Sequence, residues 1–416
     1  MAIVINNAPD GGALIAAYVS QTFEVQDTVP TGSTPAALQV IVKNNGVEVE
    51  TLYYPAIEIV TGSPDDTCIF RLDLKEVVQR LFTPNTLLPT TPGTQHNMTF
   101  PTEILFIECT FQTWLPDGDG LLVLGLEDIV DSIGYRVINA TRNQFEQPDM
   151  GAFVAATDRR FLTSKPLKGY TDTETSEYLY AYSPDSTNWY WFFAFLDEDG
   201  TLKSRCRVDN SDNDNRLLGH GVGGLNVLNS TWSQVVFSDG DPEGDGLVSG
   251  VHSYLVYGSA NPFLGSTPIT DVRQYFVSKR NCAHYRIHFL NKHGVWDYFA
   301  VRSEPNDTFS TKSEGYETTH PDNFVEGIVR RHVRNRGQVR ADDGFEVEVA
   351  GVGPNTIAWL EELMITPLAY IEKETSDIPD AFRFYPIIVQ DGRLDKSDRK
   401  FKFEVIYSRE KISQRT

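Results

Sequence analysis

Five guanidinium groups fall close together near the end of this chain: Arg330, Arg331, Arg334, Arg336 and Arg340, with His332 among them. Arginine presents a planar fork of donors that takes a carboxylate or a phosphate two bonds at a time. Nucleic-acid phosphate is therefore one partner for such a cluster, and the acidic face of a neighbouring subunit is another. The rest of the chain decides between them. With 57 acidic against 36 basic side chains the formal charge is −21, which repels polyanions and anionic lipid. Val329, Val333 and Val339 also interleave with the arginines, as at a protein contact. The five arginines are thus expected at a subunit interface, and direct nucleic-acid binding is not expected.

Other residue types offer less. His284 and His288 are four apart with no third ligand nearby, and read as half-exposed strand histidines. Asp117-Gly118-Asp119-Gly120 and the acidic run Asp239–Gly246 place oxygen ligands at alternate positions, as calcium requires. Both lack the twelve-residue spacing and closing Glu of an EF-hand, so they read as Asp/Gly turns. Cys68, Cys109, Cys206 and Cys282 stand far apart, in no metal-binding spacing, and are expected to be buried reduced thiols. Carboxylates for glycoside cleavage are abundant but no pair is marked out. GxSxG, Walker-type, GxGxxG and HExxH motifs are all missing. The expectation is a protein that is not an enzyme and uses no cofactor or metal.

The elements that position these residues are mostly strands. A 12% aromatic share with only four Met suits sheets that bury flat side chains rather than helix bundles. Residues 13–60 read as a β-meander turning at Asn44-Asn45-Gly46. Trp189, Trp191, Phe193 and Phe195 alternate with Tyr190, Phe192 and Ala194, so both faces of that strand are apolar and it should be central. Tyr285–Phe299 is the densest aromatic stretch and reads as a hairpin about Asn291–Gly294, with Gly294 free to take positive φ. It shows no nucleophile, base or ionisable pair set for chemistry, and reads as a packing motif. Strands over 345–349, 383–390 and 400–407 close the chain before a polar tail at 408–416.

Two short amphipathic helices are expected. One spans 74–82, with Asp73 as cap and Glu76 completing a capping-box pair; the other spans 356–364, capped by Asn355 and stopped before Thr366-Pro367. A chain of 416 residues exceeds one ordinary core. The expected divisions are an N-terminal β domain with one helix (1–145), an aromatic-rich middle β domain (146–265) and a C-terminal β domain with one helix (266–416). The fold class is mainly β, with several β-sandwich domains of Ig-like or related type. The start lacks a basic n-region and a long apolar core, so no signal peptide is expected, and no apolar run is long enough to span a membrane.

Several stretches carry a resemblance. Phe161-Leu162-Thr163-Ser164-Lys165-Pro166 followed by Glu177-Tyr178-Leu179, the whole Tyr285–Phe299 hairpin, Trp359-Leu360-Glu361-Glu362-Leu363 with Pro367 and the strand to Tyr407, and Phe70-Arg71-Leu72-Asp73-Leu74 resemble virion structural proteins of tailed phages infecting Bacteroidetes. The hairpin departs from that pattern at Val295, where those proteins tend to carry a second glycine. The resemblance implies a virion component of the tail (tip, baseplate or ring), made in the host cytoplasm and built of β-sandwich domains. It implies a symmetric oligomer whose partners are other tail proteins and copies of itself, and it brings no active site. The alternative is a receptor- or glycan-binding tail module serving host attachment, with or without glycan-degrading activity. An exposed aromatic cluster near carboxylates would favour that alternative, and burial of Trp189, Trp191 and Trp296 would count against it.

Overall fold

Period-two alternation becomes sheet along most of the chain in the computed structural model. It describes residues 2–10, 14–30, 37–82, 97–100, 104–116, 122–124, 129–140, 150–183, 188–210, 216–237, 250–278, 285–302, 306–318, 333–350, 353–375, 378–395 and 400–408. The protein is mainly β, with several sheets and three α-helices among these residues.

The first two sheets form a sandwich. One holds Ala2–Asn7, Thr22–Pro30, Asp65–Asp73 and Glu58–Val60 in that order; the other runs Leu14–Ala16, Tyr135–Ile138, Ile104–Pro116, Ala37–Asn44, Val47–Tyr54. Val25 and Phe70 from the first meet Val40, Phe111 and Tyr135 from the second in one buried cluster. The expected turn is present, with Asn45 at φ 51° and Gly46 at φ 77°, the positive pair that a tight right-twisted hairpin demands. The meander expectation needs correction. The chain leaves the first sheet after Pro30, builds Ala37–Tyr54 into the second, and returns at Glu58.

The middle sandwich sets a six-stranded sheet, Lys168–Thr171, Arg273–Val277, Ser253–Ser259, Trp189–Leu196, Leu202–Asn210, Gln234–Phe237, against the three strands Tyr178–Ser183, Arg216–Gly221 and Asn97–Phe100. Trp189–Leu196 lies inside the larger sheet, its residues through Phe195 all buried. The sheets do not divide at residues 145 and 265: Asn97–Phe100 and Arg273–Val277 both belong to this pair.

The last sheet runs Trp296–Val301, Tyr285–Leu290, Ala369–Thr375, Ile378–Asp395, Lys400–Ser408, Val333–Ala350, Asn306–Thr318. It folds on itself through one long strand. Residues 378–387 of Ile378–Asp395 pair with Ala369–Thr375, and Ile388 onward pairs with Lys400–Ser408. The two halves then face each other, with Phe289 and Phe299 from one side and Phe345, Val347, Phe403 and Val405 from the other around Trp359 and Leu360 of the helix Pro354–Ile365. Tyr285 stacks on Phe345 with ring centres 3.9 Å apart.

Both helix starts differ from expectation. The first helix is Lys75–Leu81 with Leu74 at the N-cap and no side-chain cap. Asp73 sits one residue too early, and its Oδ1 instead accepts the Gln21 and Lys75 amides at 2.8 and 3.0 Å. The C-terminal helix begins at Pro354 behind Gly353, because proline suits a first helical position whose N–H has no partner, so Asn355 lies inside the helix. A third helix, Gly224–Leu228, was not expected. Cys68, Cys109 and Cys206 are buried free thiols, and burial pushes Cys109 and Cys206 up to about 12. Cys282, His284, both acidic loops (117–120 and 239–246) and the tail from 409 lie outside the described residues.

Candidate functional site

The tip of the Tyr285–Val301 hairpin is where the three parts of the chain meet. Leu290 pairs with Trp296, leaving Asn291–Val295 as the loop. The side chain of Asn291 organises it: Oδ1 accepts the His293 amide at 2.9 Å and the Val295 amide at 3.3 Å, while Nδ2 donates to the Leu162 carbonyl at 2.9 Å. Gly294 has φ +80°, and a Cβ there would lie 2.1 Å from the Asn139 carbonyl oxygen. Only glycine lets the loop seat this closely on the N-terminal sandwich. Below the tip, Leu14, Ala16, Ile104 and Ile138 join Leu162, Tyr178, Tyr180, Leu290, Val295 and Trp296 in one apolar cluster.

A polar network surrounds this shared core. Thr163 Oγ1 and Trp359 Nε1 both donate to Asp297 Oδ2, at 2.8 and 2.7 Å. Burial raises the Asp297 pKa, and these two donors oppose the rise. Lys165 Nζ lies 2.7 Å from Glu177 Oε1, with the rings of Tyr298, Trp359 and Tyr275 at 5.3, 5.5 and 6.0 Å. Lys292 Nζ reaches Glu362 Oε1 at 3.4 Å. Burial, then the Asp297 charge, raises the Glu362 carboxyl.

A second cluster lies further along the hairpin. Arg286 Nη2 meets Glu174 Oε2 at 3.0 Å and Asp172 Oδ1 at 3.9 Å, and its Nε lies 4.0 Å from Glu372 Oε2. His288 Nε2 lies 2.5 Å from Glu372 Oε1 with both side chains buried. The expectation of a half-exposed His288 is therefore corrected. The hairpin also carries buried ion pairs that its local sequence does not announce. Their partners come from residues far away in sequence, and charges set between aromatic residues are buried only when paired.

Ser164 Oγ and His293 Nε2 are 3.2 Å apart, a spacing at which a nucleophile and base can work. The rest of that arrangement is missing. His293 Nδ1 has no hydrogen-bond partner among the described residues, so no acid orients the ring. Burial, helped by Lys292, lowers the His293 pKa to about 3, which makes it a weak base. Phe153 closes over the imidazole with ring centres 4.9 Å apart. The pair joins two segments and is not set up for acyl transfer. Among the described residues no group of three His, Cys, Asp or Glu side chains could hold a metal ion, and no helix is long and apolar enough to cross a membrane.

Arg330 and Arg331 fall outside the described residues. On the strand Val333–Ala350, Arg334 stands opposite Glu317, Arg336 opposite Gly315 and Arg340 opposite Lys312, with a register shift between Ser313 and Gly315. That shift interrupts the two-residue alternation between Arg336 and Arg340. The junction residues themselves escape a local reading of the sequence. Their one local signal is a charge flanked by aromatic or aliphatic strand residues, as in Arg286-Ile287-His288-Phe289 and Trp296-Asp297-Tyr298.

No family model and no curated protein matches the chain. Among solved structures, Drosophila OTK, extracellular domains 3-5, is similar at 9% identity and a TM-score of 0.20, over 83% of this chain and 92% of that one. A likeness this slight carries no functional argument.

Proposed function

We propose that this chain is a structural subunit of a phage virion, part of the tail, which assembles with copies of itself and with other tail proteins into a symmetric oligomer. The observation that supports it is the hairpin junction. There the side chains fit for chemistry are paired with one another and fasten the N-terminal, middle and C-terminal parts around one shared core. Such fastening suits a part that must keep its shape under load. Trp189, Trp191 and Trp296 are core residues, which counts against their use as a sugar platform.

The candidate assembly surface is the strand pair Asn306–Thr318 and Val333–Ala350. Its outer half, beyond Asp342, pairs with no further strand among the described residues, and it carries Arg334, Arg336 and Arg340. Ring closure needs two different patches on every subunit, and a basic one suits a strongly acidic chain. The test is to purify the chain, measure its mass in solution, and label phage particles with an antibody raised against it. A defined oligomer and label on the tail are expected, with charge reversal at Arg334, Arg336 and Arg340 dissociating the oligomer while leaving the fold. A monomer that never labels a particle would overturn the proposal.

A further inference from the structure

The outer face of the N-terminal sandwich presents an aromatic pair, exposed Tyr53 and half-buried Trp114, that the buried tryptophans do not. Tyr53 is 54% exposed and pairs in register with Gln39 of the neighbouring strand, whose other neighbour carries Trp114. The two rings meet edge to face, centres 6.3 Å apart and planes at 69°. Gln39 holds both: its Oε1 accepts the Trp114 indole N–H at 2.8 Å, and its Nε2 donates to the Tyr53 hydroxyl at 3.2 Å. Fixed this way, the rings keep their orientation without a ligand, which lowers the entropy cost of binding one. Among the described residues, the second Gln39 amide proton and the Tyr53 hydroxyl proton remain to be donated.

We propose that this face binds an extended, uncharged polysaccharide. A sugar ring offers a flat C–H surface for an aromatic ring and hydroxyls for directional polar groups, and both kinds of partner stand together here. The same face continues along the strands to Lys43 and Asp131, an ion pair 3.7 Å apart with Asp131 well exposed. From Gln39 to Lys43 the strand rises roughly 13 Å, the span of a short oligosaccharide. The net charge of −21 works against acidic polysaccharides, which is why the ligand is assigned as uncharged. The site goes beyond the virion reading and does not depend on it. Failure to label particles leaves the site untouched, and failure here leaves the subunit proposal standing.

Affinity electrophoresis of the full chain tests this, in gels containing β-glucan, xylan, mannan or dextran, with alginate as the anionic comparison. At least one neutral polymer should retard the wild type. Tyr53→Ala and Trp114→Ala should each weaken that retardation by about tenfold or more, and Tyr53→Phe, which keeps the ring, should retain most of it. Thermal unfolding checks each variant's fold. Should Trp114→Ala unfold, the exposed Tyr53 carries the test alone. Retardation by no neutral polymer, retardation by alginate only, or equal binding by wild type and Tyr53→Ala would each overturn the assignment. So would a Tyr53→Ala defect confined to association with another protein.

Discussion

Two aromatic strands of this molecule look alike in sequence and are built on opposite principles. Trp189–Leu196 is buried on both faces and is held by rings: Trp191 stacks on Phe161 with centres 5.6 Å apart and planes within 8°, and Phe193 meets Trp232 edge-on at 5.0 Å. The hairpin Tyr285–Val301 is buried almost as completely, yet it takes Arg286, His288 and Asp297 inside with it. The first strand has neighbours from within the middle sandwich. The second has neighbours from three parts of the chain, and ions with their hydrogen bonds fix which segment docks where. Apolar packing gives bulk stability, and the buried polar set gives register between parts.

Substitutions can separate the two principles. Trp191→Ala should have the largest effect, roughly 3–5 kcal/mol lost, because no charge redistribution can fill the space left between Phe161 and His220. A urea midpoint far below wild type, with the slope unchanged, is the expected result; a shift under about 1 kcal/mol would mean the strand is less tightly packed than its burial implies. Arg286→Met should follow, at roughly 3 kcal/mol, because it leaves the buried Asp172 and Glu372 carboxylates without their cation. Unlike Trp191→Ala, it should loosen the hairpin selectively. Hydrogen exchange should quicken across Asp172–Glu177 and Tyr285–Val301 while Trp189–Leu196 stays protected, and uniform exchange across all three would contradict the distinction.

The effect that is smallest at neutral pH, and grows only in acid, concerns His293. His293 titrates near 6.5 when unfolded and about 3 when folded, so the unfolded chain binds the extra proton between those values. Stability from this group is complete above 6.5 and is lost as pH falls toward 3, by roughly 5 kcal/mol at most. Asp297 and Glu362, raised by burial, act with the opposite sign: their contribution is present at low pH and lost as pH rises through their folded values. His293→Gln should therefore flatten the acid limb of a stability-against-pH curve. An unchanged limb would show that carboxylates elsewhere govern it.

Much of the fold is legible locally. Asn44-Asn45-Gly46 specifies its turn, and two apolar faces place Trp189–Leu196 inside a sheet. Phe345 and Val347 point inward as their alternation with glutamates requires. Sheet membership is not legible, because the strand Asp65–Asp73 reaches back past three others to pair with Thr22–Pro30, and nothing near residue 70 records that choice. The helix Gly224–Leu228 is too short to establish a periodic face. The junction is the least legible part. Arg286 and Glu174 are 112 residues apart, so the aromatic pattern of the hairpin announces burial and stays silent about the ions buried with it.

The shared core also governs when this protein can finish folding on the ribosome. Leu14 and Trp296 lie in the same cluster, so the N-terminal sandwich must wait for most of the chain before its lower surface is covered. At about 5–20 residues per second that wait is on the order of tens of seconds, during which Leu14, Ala16 and Ile138 face water or a chaperone. The hairpin arrives last among the fully buried contributors to that cluster and acts as its closing piece. Completion is thus tied to synthesis of a late segment, and a prematurely terminated chain leaves Leu14, Ala16 and Ile138 uncovered.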